Sequence, residues 1–225
     1  MHIELSEILT CPDCRSPQGL VVLVEELDDE GRVRRGDLGC SRCQRRYPVR
    51  EGVVDLTAGT DAGEADHGGG PRDAGPDGGA GADGTLPPAD ELTVEVGGLL
   101  DLPSLRGPVV LGHGLARAAP RLAELADRAR ILALAGDGEA LPAGSGDVTW
   151  VRAPEGRLPL LPGKAAGIAL WRPGPGEAGD AREALGPGAR LAALRPDPTL
   201  RRELEGSDLE VLASEERAVV VRRSG

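Results

Sequence analysis

The sequence predicts an α/β domain preceded by a small β-rich module stapled by a metal. Three observations carry this. The only cysteines form two Cys-x-x-Cys pairs, Cys11-Pro12-Asp13-Cys14 and Cys40-Ser41-Arg42-Cys43, 25 residues apart. Residues 58–90 are mostly Gly, Ala, Asp and Pro, a composition that cannot bury enough apolar surface to offset its ordering entropy. Over 91–225, short aliphatic runs alternate with helical patterns, the rhythm of a mostly parallel three-layer sheet.

The first unit is 1–57. Two thiolate pairs delivered from tight turns complete a tetrahedral Zn²⁺ site, and with all four positions filled the ion is structural, not catalytic. A disulfide or redox pair fits less well: a thioredoxin-type site opens a helix in an α/β unit, whereas these pairs lie in β-rich sequence. Gly19 to Leu27 reads as a strand, Asp28 to Gly31 as a turn, and Arg32 to Leu38 as a polar edge strand. Tyr47-Pro48-Val49 and Gly52 to Leu56 supply further short strands. So few large apolar side chains would be marginal alone, and structural zinc contributes on the order of 10 kcal/mol of folding free energy. Tyr47 is expected at the ribbon's edge, its hydroxyl reaching solvent or backbone. Arg42, Arg45, Arg46 and Arg50 read as a solvated face or as a contact for phosphate or an acidic partner.

Composition narrows the function classes. Lys and Arg total 26 against 37 Asp and Glu, a net charge of −11, which argues against a nucleic-acid or membrane-surface binder. No run of about 18 apolar residues is present, and Glu4 and Glu7 interrupt any secretory signal pattern. A cytoplasmic protein is expected, where paired cysteines serve metals more often than disulfides. His67, beside three glycines in the 58–90 linker, is read as disordered.

In the second unit, 91–225, Val109-Val110-Leu111 enters the turn Gly112-His113-Gly114. A helix follows over Ala116 to Ala126, its start pushed toward Pro120. Further strands are predicted at Ile131 to Ala135, Val148 to Arg152, Gly167 to Trp171 and Arg190 to Leu194. Leu209 to Ala213 and Ala218 to Arg222 close as an antiparallel pair. Trp150 and Trp171, in successive predicted strands, read as core packing ahead of a substrate platform. His113 is either a general base at a ligand mouth or an exposed loop histidine.

The first unit resembles the small zinc-ribbon subunits that activate methyltransferases, and the N-terminal ribbon of some rRNA guanine methyltransferases. The resemblance spans residues 3–57 and rests on Ile8-Leu9-x-Cys-Pro-x-Cys, the hydrophobic strand, the second Cys-x-x-Cys, Tyr47-Pro48-Val49 and Gly52-Val53. It implies a docking role toward a methyltransferase. The second unit resembles a class I S-adenosylmethionine-dependent methyltransferase over 105–223. The carriers are the Gly-rich turn, Leu158-Pro159-Leu160, Gly186-Pro187-Gly188-Ala189-Arg190-Leu191 and the closing strand pair.

The departures from that second pattern are systematic. The family's acid before the first glycine falls on Val110, and its third glycine on Ala116. The ribose-binding acid falls near Ala135, with Asp137 two residues late. The adenine-side acid falls on Ala153 or Pro154, beside Glu155, and the fourth-strand acid on Ala166 or Gly167. Gly136 to Gly146 is too short for a crossover helix. Each ligand donor left unpaired costs on the order of 1–3 kcal/mol, so cofactor binding should fall roughly a hundredfold or more. Gly112, His113, Gly114 and Asp137 are therefore vestigial cofactor positions. The expectation is a non-catalytic zinc protein that docks on a methyltransferase or on its own C-terminal domain, without S-adenosylmethionine. The alternative is a divergent S-adenosylmethionine-dependent methyltransferase using Gly112-His113-Gly114 and Asp137, with Asp137, Glu139 and Glu155 around its cleft.

Overall fold

The strands of both halves join in one mixed sheet. The computed structural model describes residues 1–60, 86–136, 141 and 147–225. Its strands are β1 (Leu20–Leu27), β2 (Val33–Cys40), β3 (Arg46–Arg50), β4 (Val53–Asp55), β5 (Gly107–Leu111), β6 (Ala129–Ala135), β7 (Val148–Arg152), β8 (Ala165–Trp171), β9 (Leu185–Leu194), β10 (Glu210–Ser214) and β11 (Ala218–Arg222). Their spatial order is β1-β2-β3-β4-β7-β6-β5-β8-β9-β11-β10. Helices α1 (Ala89–Leu100), α2 (Ala119–Leu125), α3 (Pro175–Ala184) and α4 (Pro198–Glu205) complete the layers.

Numbered within the α/β half, β7 to β10 follow the order 3-2-1-4-5-7-6, parallel through β9 with an antiparallel β11 inserted before β10. That is the class I methyltransferase arrangement. One face carries α1 and α2 on Val109, Leu111, Ile131, Ala133 and Trp150. The other carries α3 and α4 on Ile168, Leu170, Leu191 and Val219. Helix α1 was not foreseen in the sequence; its buried Leu92, Val96 and Leu100 have the 3.6-residue spacing that would have shown it.

The ribbon extends this sheet. β4 pairs parallel with β7 (Val53 opposite Trp150, Val54 opposite Val151), and the Leu56 amide donates to the Arg152 carbonyl at 2.9 Å. A 3₁₀ turn over Ile3–Ile8 leads into a second seam. There the Thr10 amide donates to the Pro159 carbonyl at 2.9 Å, and the Leu161 amide to the Ile8 carbonyl at 2.8 Å. Leu5, Leu9, Leu38 and Leu56 are buried in the same core cluster as Leu132, Val151 and Leu158. Each such side chain removed from water contributes about 2 kcal/mol, so the two halves share a large part of their stability.

Two sequence expectations, on the ribbon's edge strand and on Tyr47, are corrected here. The edge strand of the ribbon is β1, not the Arg32–Leu38 return, because β2 is flanked by both β1 and β3. Trp150 and Trp171 do fall in successive strands of the chain, with β6 and β5 between them in the sheet. Trp150 is buried, while Trp171 is half-buried with the Arg195 guanidinium 5.3 Å from its ring centroid. Tyr47 is fully buried, for the reason given below. The expected linker lies largely outside the described residues, as do His67, Asp137 and Glu139.

Candidate metal centre and the carboxyl ends of the strands

The two Cys-x-x-Cys turns are built alike. In each, the residue after the second cysteine is left-handed, Arg15 at φ 50° and Gln44 at φ 61°. In each, its amide returns to the carbonyl of the first cysteine, Arg15 to Cys11 and Gln44 to Cys40, both at 2.9 Å. This geometry turns both thiols of a pair to the same side. β2 delivers Cys40 and the first turn delivers Cys11 and Cys14, so all four Sγ atoms lie within 4.8 Å of one another.

The sulfur spacing tests what the set can hold. Cys11 to Cys43 is 3.6 Å and Cys14 to Cys40 is 3.4 Å. Disulfide sulfurs stand about 2.05 Å apart, whereas Zn–S bonds of about 2.3 Å in a tetrahedron place sulfurs about 3.8 Å apart. The donor set therefore fits a tetrahedral thiolate-bound ion. Electrostatics divide the set: burial opposes ionisation of Cys40, but the backbone amides of Cys43 and Arg42 outweigh it and bring the thiol down to about 7. Burial and its thiol neighbours push Cys14 up to about 12.

Behind Cys11 stands Tyr47. Its hydroxyl lies 3.1 Å from Cys11 Sγ and donates to Asp13 Oδ2 at 2.5 Å. Burial, then the Asp13 carboxylate, drives its own ionisation far above the ordinary range, so it stays a neutral donor. Asp13 is held in turn by Arg45 at 3.3 Å. Gly59 leaves room for the inward-facing ring, since a Cβ there would stand 2.7 Å from Tyr47 Cε1. Nothing in the sequence marked Asp13 or Tyr47 as supports of the metal ligands.

Ribbon and α/β half also meet through charge. Asp180 on α3, only 10% exposed, pairs with Arg15 at 2.9 Å and Arg157 at 3.0 Å and accepts the Leu158 amide at 2.9 Å. Arg15 further donates to the Leu158 carbonyl at 3.2 Å. The Leu158-Pro159-Leu160 segment is thus clamped to the first cysteine turn.

At the carboxyl ends of β5 to β7, polar groups close on one another. Gly112 is dictated by packing, since a Cβ there would lie 2.5 Å from Leu170 Cδ2. Gly114 turns the chain at φ +81°. His113 is part-buried, with Nδ1 3.1 Å from Glu177 Oε1 and Nε2 3.3 Å from the Ala153 carbonyl. Burial works against its protonation, but Glu177 prevails and raises the pKa. The other Glu177 oxygen accepts the Gly174 amide at 3.1 Å, capping α3. Glu155 lies against Gly136 at the end of β6, its carboxylate 2.9 Å from where a Cβ would be. Of the predicted cofactor positions, Gly112, His113 and Gly114 form this turn, and Asp137 lies outside the described residues. Glu177 was not foreseen, though a Glu two residues after Gly174-Pro175 is a helix-start signal.

Among the described residues, no helix is long and apolar enough to cross a membrane. No curated protein matches the sequence. The α/β half is similar to the antibiotic-resistance methyltransferase Kmr (19% identity, 59% of this chain and 93% of that one, TM-score 0.40). It is also similar to the S-adenosylmethionine-dependent methyltransferase SibL (16% identity, 60% and 56%, TM-score 0.41). A 16S rRNA (adenine(1408)-N(1))-methyltransferase from Catenulisporales acidiphilia gives 16% identity, 61% and 90%, and a TM-score of 0.33. Residues 2–52 match the Trm112p-like protein family. The chain thus joins a Trm112p-like ribbon to an α/β domain of methyltransferase type.

Proposed function

We propose that this is a zinc-binding, non-catalytic docking protein whose ribbon serves its own methyltransferase-like domain. The observation that carries the proposal is the β4–β7 seam: the ribbon completes the sheet and shares its core. That seam occupies the ribbon's β4 edge and its Ile8–Thr10 backbone, so neither is free for a second methyltransferase. Zn²⁺ would be held by Cys11, Cys14, Cys40 and Cys43, where it supplies folding free energy to the ribbon and, through the shared core, to the whole chain. A tetrahedral set of four thiolates suits zinc or iron alike, so the metal content is the test. Metal analysis of purified protein should return one zinc per chain.

Loss of cofactor is supported by Ala135 and Ala153 at positions where acids would grip a nucleoside, and by the engagement of His113 with Glu177 and Ala153. Titration calorimetry of the zinc-loaded chain with S-adenosylmethionine tests it. No binding up to about 1 mM is expected, and a dissociation constant in the low micromolar range would refute it. One observation favours the alternative, a divergent methyltransferase: Glu155 brings a carboxylate against Gly136, beside the place of the missing ribose acid. If the calorimetry shows tight binding, Glu155→Gln should abolish it.

A further inference from the structure

A second group of side chains stands farther along the same sheet. Adjacent parallel strands β8 and β9 both end in Arg-Pro, as Arg172-Pro173 and Arg195-Pro196. Both arginines are left-handed, at φ 46° and 49°. This conformation is uncommon for any residue with a Cβ, and the residue before proline is normally drawn to extended backbone. Two such residues of one type stand at matched positions at the ends of neighbouring strands.

The ladder carries on through them. The Arg172 amide donates to the Leu194 carbonyl at 2.8 Å, and the Arg195 amide to the Arg217 carbonyl at 2.6 Å. Arg172, Arg195 and Arg217 therefore stand in a row across β8, β9 and the start of β11, about 4.8 Å from strand to strand. They line a cleft of about 570 Å³ with Pro173 and Pro196, within the roughly 300–1,000 Å³ usual for small-ligand sites. Arg195 is fixed over the Trp171 ring. Among the described residues neither Arg195 nor Arg217 forms an ion pair. The cleft also holds two carboxylates, Asp197, which accepts the Thr199 and Leu200 amides at the start of α4, and the exposed Glu216, so its three arginines leave one positive charge in excess.

We infer that this cleft binds a compact ligand bearing two or more phosphates, of the nucleoside-diphosphate class. Arginines on neighbouring strands offer charge-assisted, bidentate hydrogen bonds to phosphates, and the prolines offer an apolar flank to a sugar or base. The acidity of the rest of the surface disfavours a longer polyanion. The inference does not rest on the proposed function, since S-adenosylmethionine carries no phosphate.

Calorimetry of the full zinc-loaded chain with pyrophosphate and with ADP tests it. Both should bind, more weakly as salt rises. Arg195→Gly and Arg217→Gln should each weaken binding about tenfold or more. Arg195→Gly should leave the melting temperature unchanged or higher, because glycine accepts the left-handed backbone. That separates lost binding from lost folding. Failure of both probes to bind at about 1 mM, or unchanged affinity in the two variants, would overturn the inference. So would a single-stranded RNA that binds more tightly than ADP.

Discussion

The four-cysteine centre and the His113 cluster are both convergences of polar groups, but they converge differently. At the cysteines, four thiols, a neutral phenol and several backbone amides face one common centre, and none of the sulfurs reaches bonding distance of another. At the carboxyl ends of β5 to β7, among the described residues, His113 takes Glu177 and the Ala153 carbonyl, and Glu177 also caps α3. Buried polar groups must be satisfied from some source. A site arranged for a ligand leaves that satisfaction to the ligand, and under the proposed loss of cofactor the His113 cluster supplies it from within.

Metal removal is the strongest way to break this contrast. A chelator that strips the cysteines should unfold the ribbon and, because its core is continuous with that of the α/β half, lower the melting temperature of the whole chain by about 10 °C or more. Trp150, opposite Val53 across the seam, reports the event by fluorescence. A chelated protein with unchanged Trp150 emission and melting temperature would show that the metal staples nothing.

Tyr47→Phe sharpens it. The ring and its packing stay, while the Asp13 carboxylate loses its donor and Cys11 Sγ its hydroxyl neighbour. A loss of about 1–2 kcal/mol in stability and about tenfold in zinc affinity is expected, read by competition with a calibrated chelator. Stability lost with zinc affinity intact would make Tyr47 a packing residue only.

These two residues also mark what could be read from sequence. Spacing alone exposed the four ligands, because Cys-x-x-Cys is a local turn whose geometry is fixed within four residues. The strands were legible for the same reason: β-branched runs at Val148–Arg152 and Ala218–Arg222 coincide with β7 and β11. Tyr47 was misplaced because its burial depends on Asp13 and Gly59, brought in from both ends of the ribbon. The edge strand was misassigned because polarity marks exposure, whereas β1 is an edge with Val21, Val24 and Leu27 exposed. Glu177 and Asp180 act over 64 and 165 residues of separation from His113 and Arg15, which no local pattern encodes.

A smaller effect probes the joint between the two halves. Asp180→Asn keeps the shape of α3 but removes the charge shared by Arg15 and Arg157. Both arginines are substantially exposed, 39% and 56%, so solvent screening holds the cost to about 1 kcal/mol. A double-mutant cycle with Arg15→Ala should give a coupling energy of a few tenths of a kcal/mol or more. Additive effects would mean that the clamp is held by the backbone seam alone.

The smallest expected effect belongs to the self-satisfied cluster, and its sign is fixed. Glu177 raises the folded pKa of His113 above its ordinary value of 6.5 despite the opposing effect of burial. Protonation therefore favours the folded state: the contribution is fully present below about pH 6.5 and is lost as pH rises through the higher folded value. Chemical denaturation at pH 6 and pH 8.5 should give a difference of about 1 kcal/mol or less that His113→Gln removes. A native protein stabilised instead by raising the pH, with the effect abolished in His113→Gln, would place a neutral imidazole there. That form can accept a proton, so the reversed sign would turn the cluster from an internal brace into a poised base and favour the methyltransferase alternative.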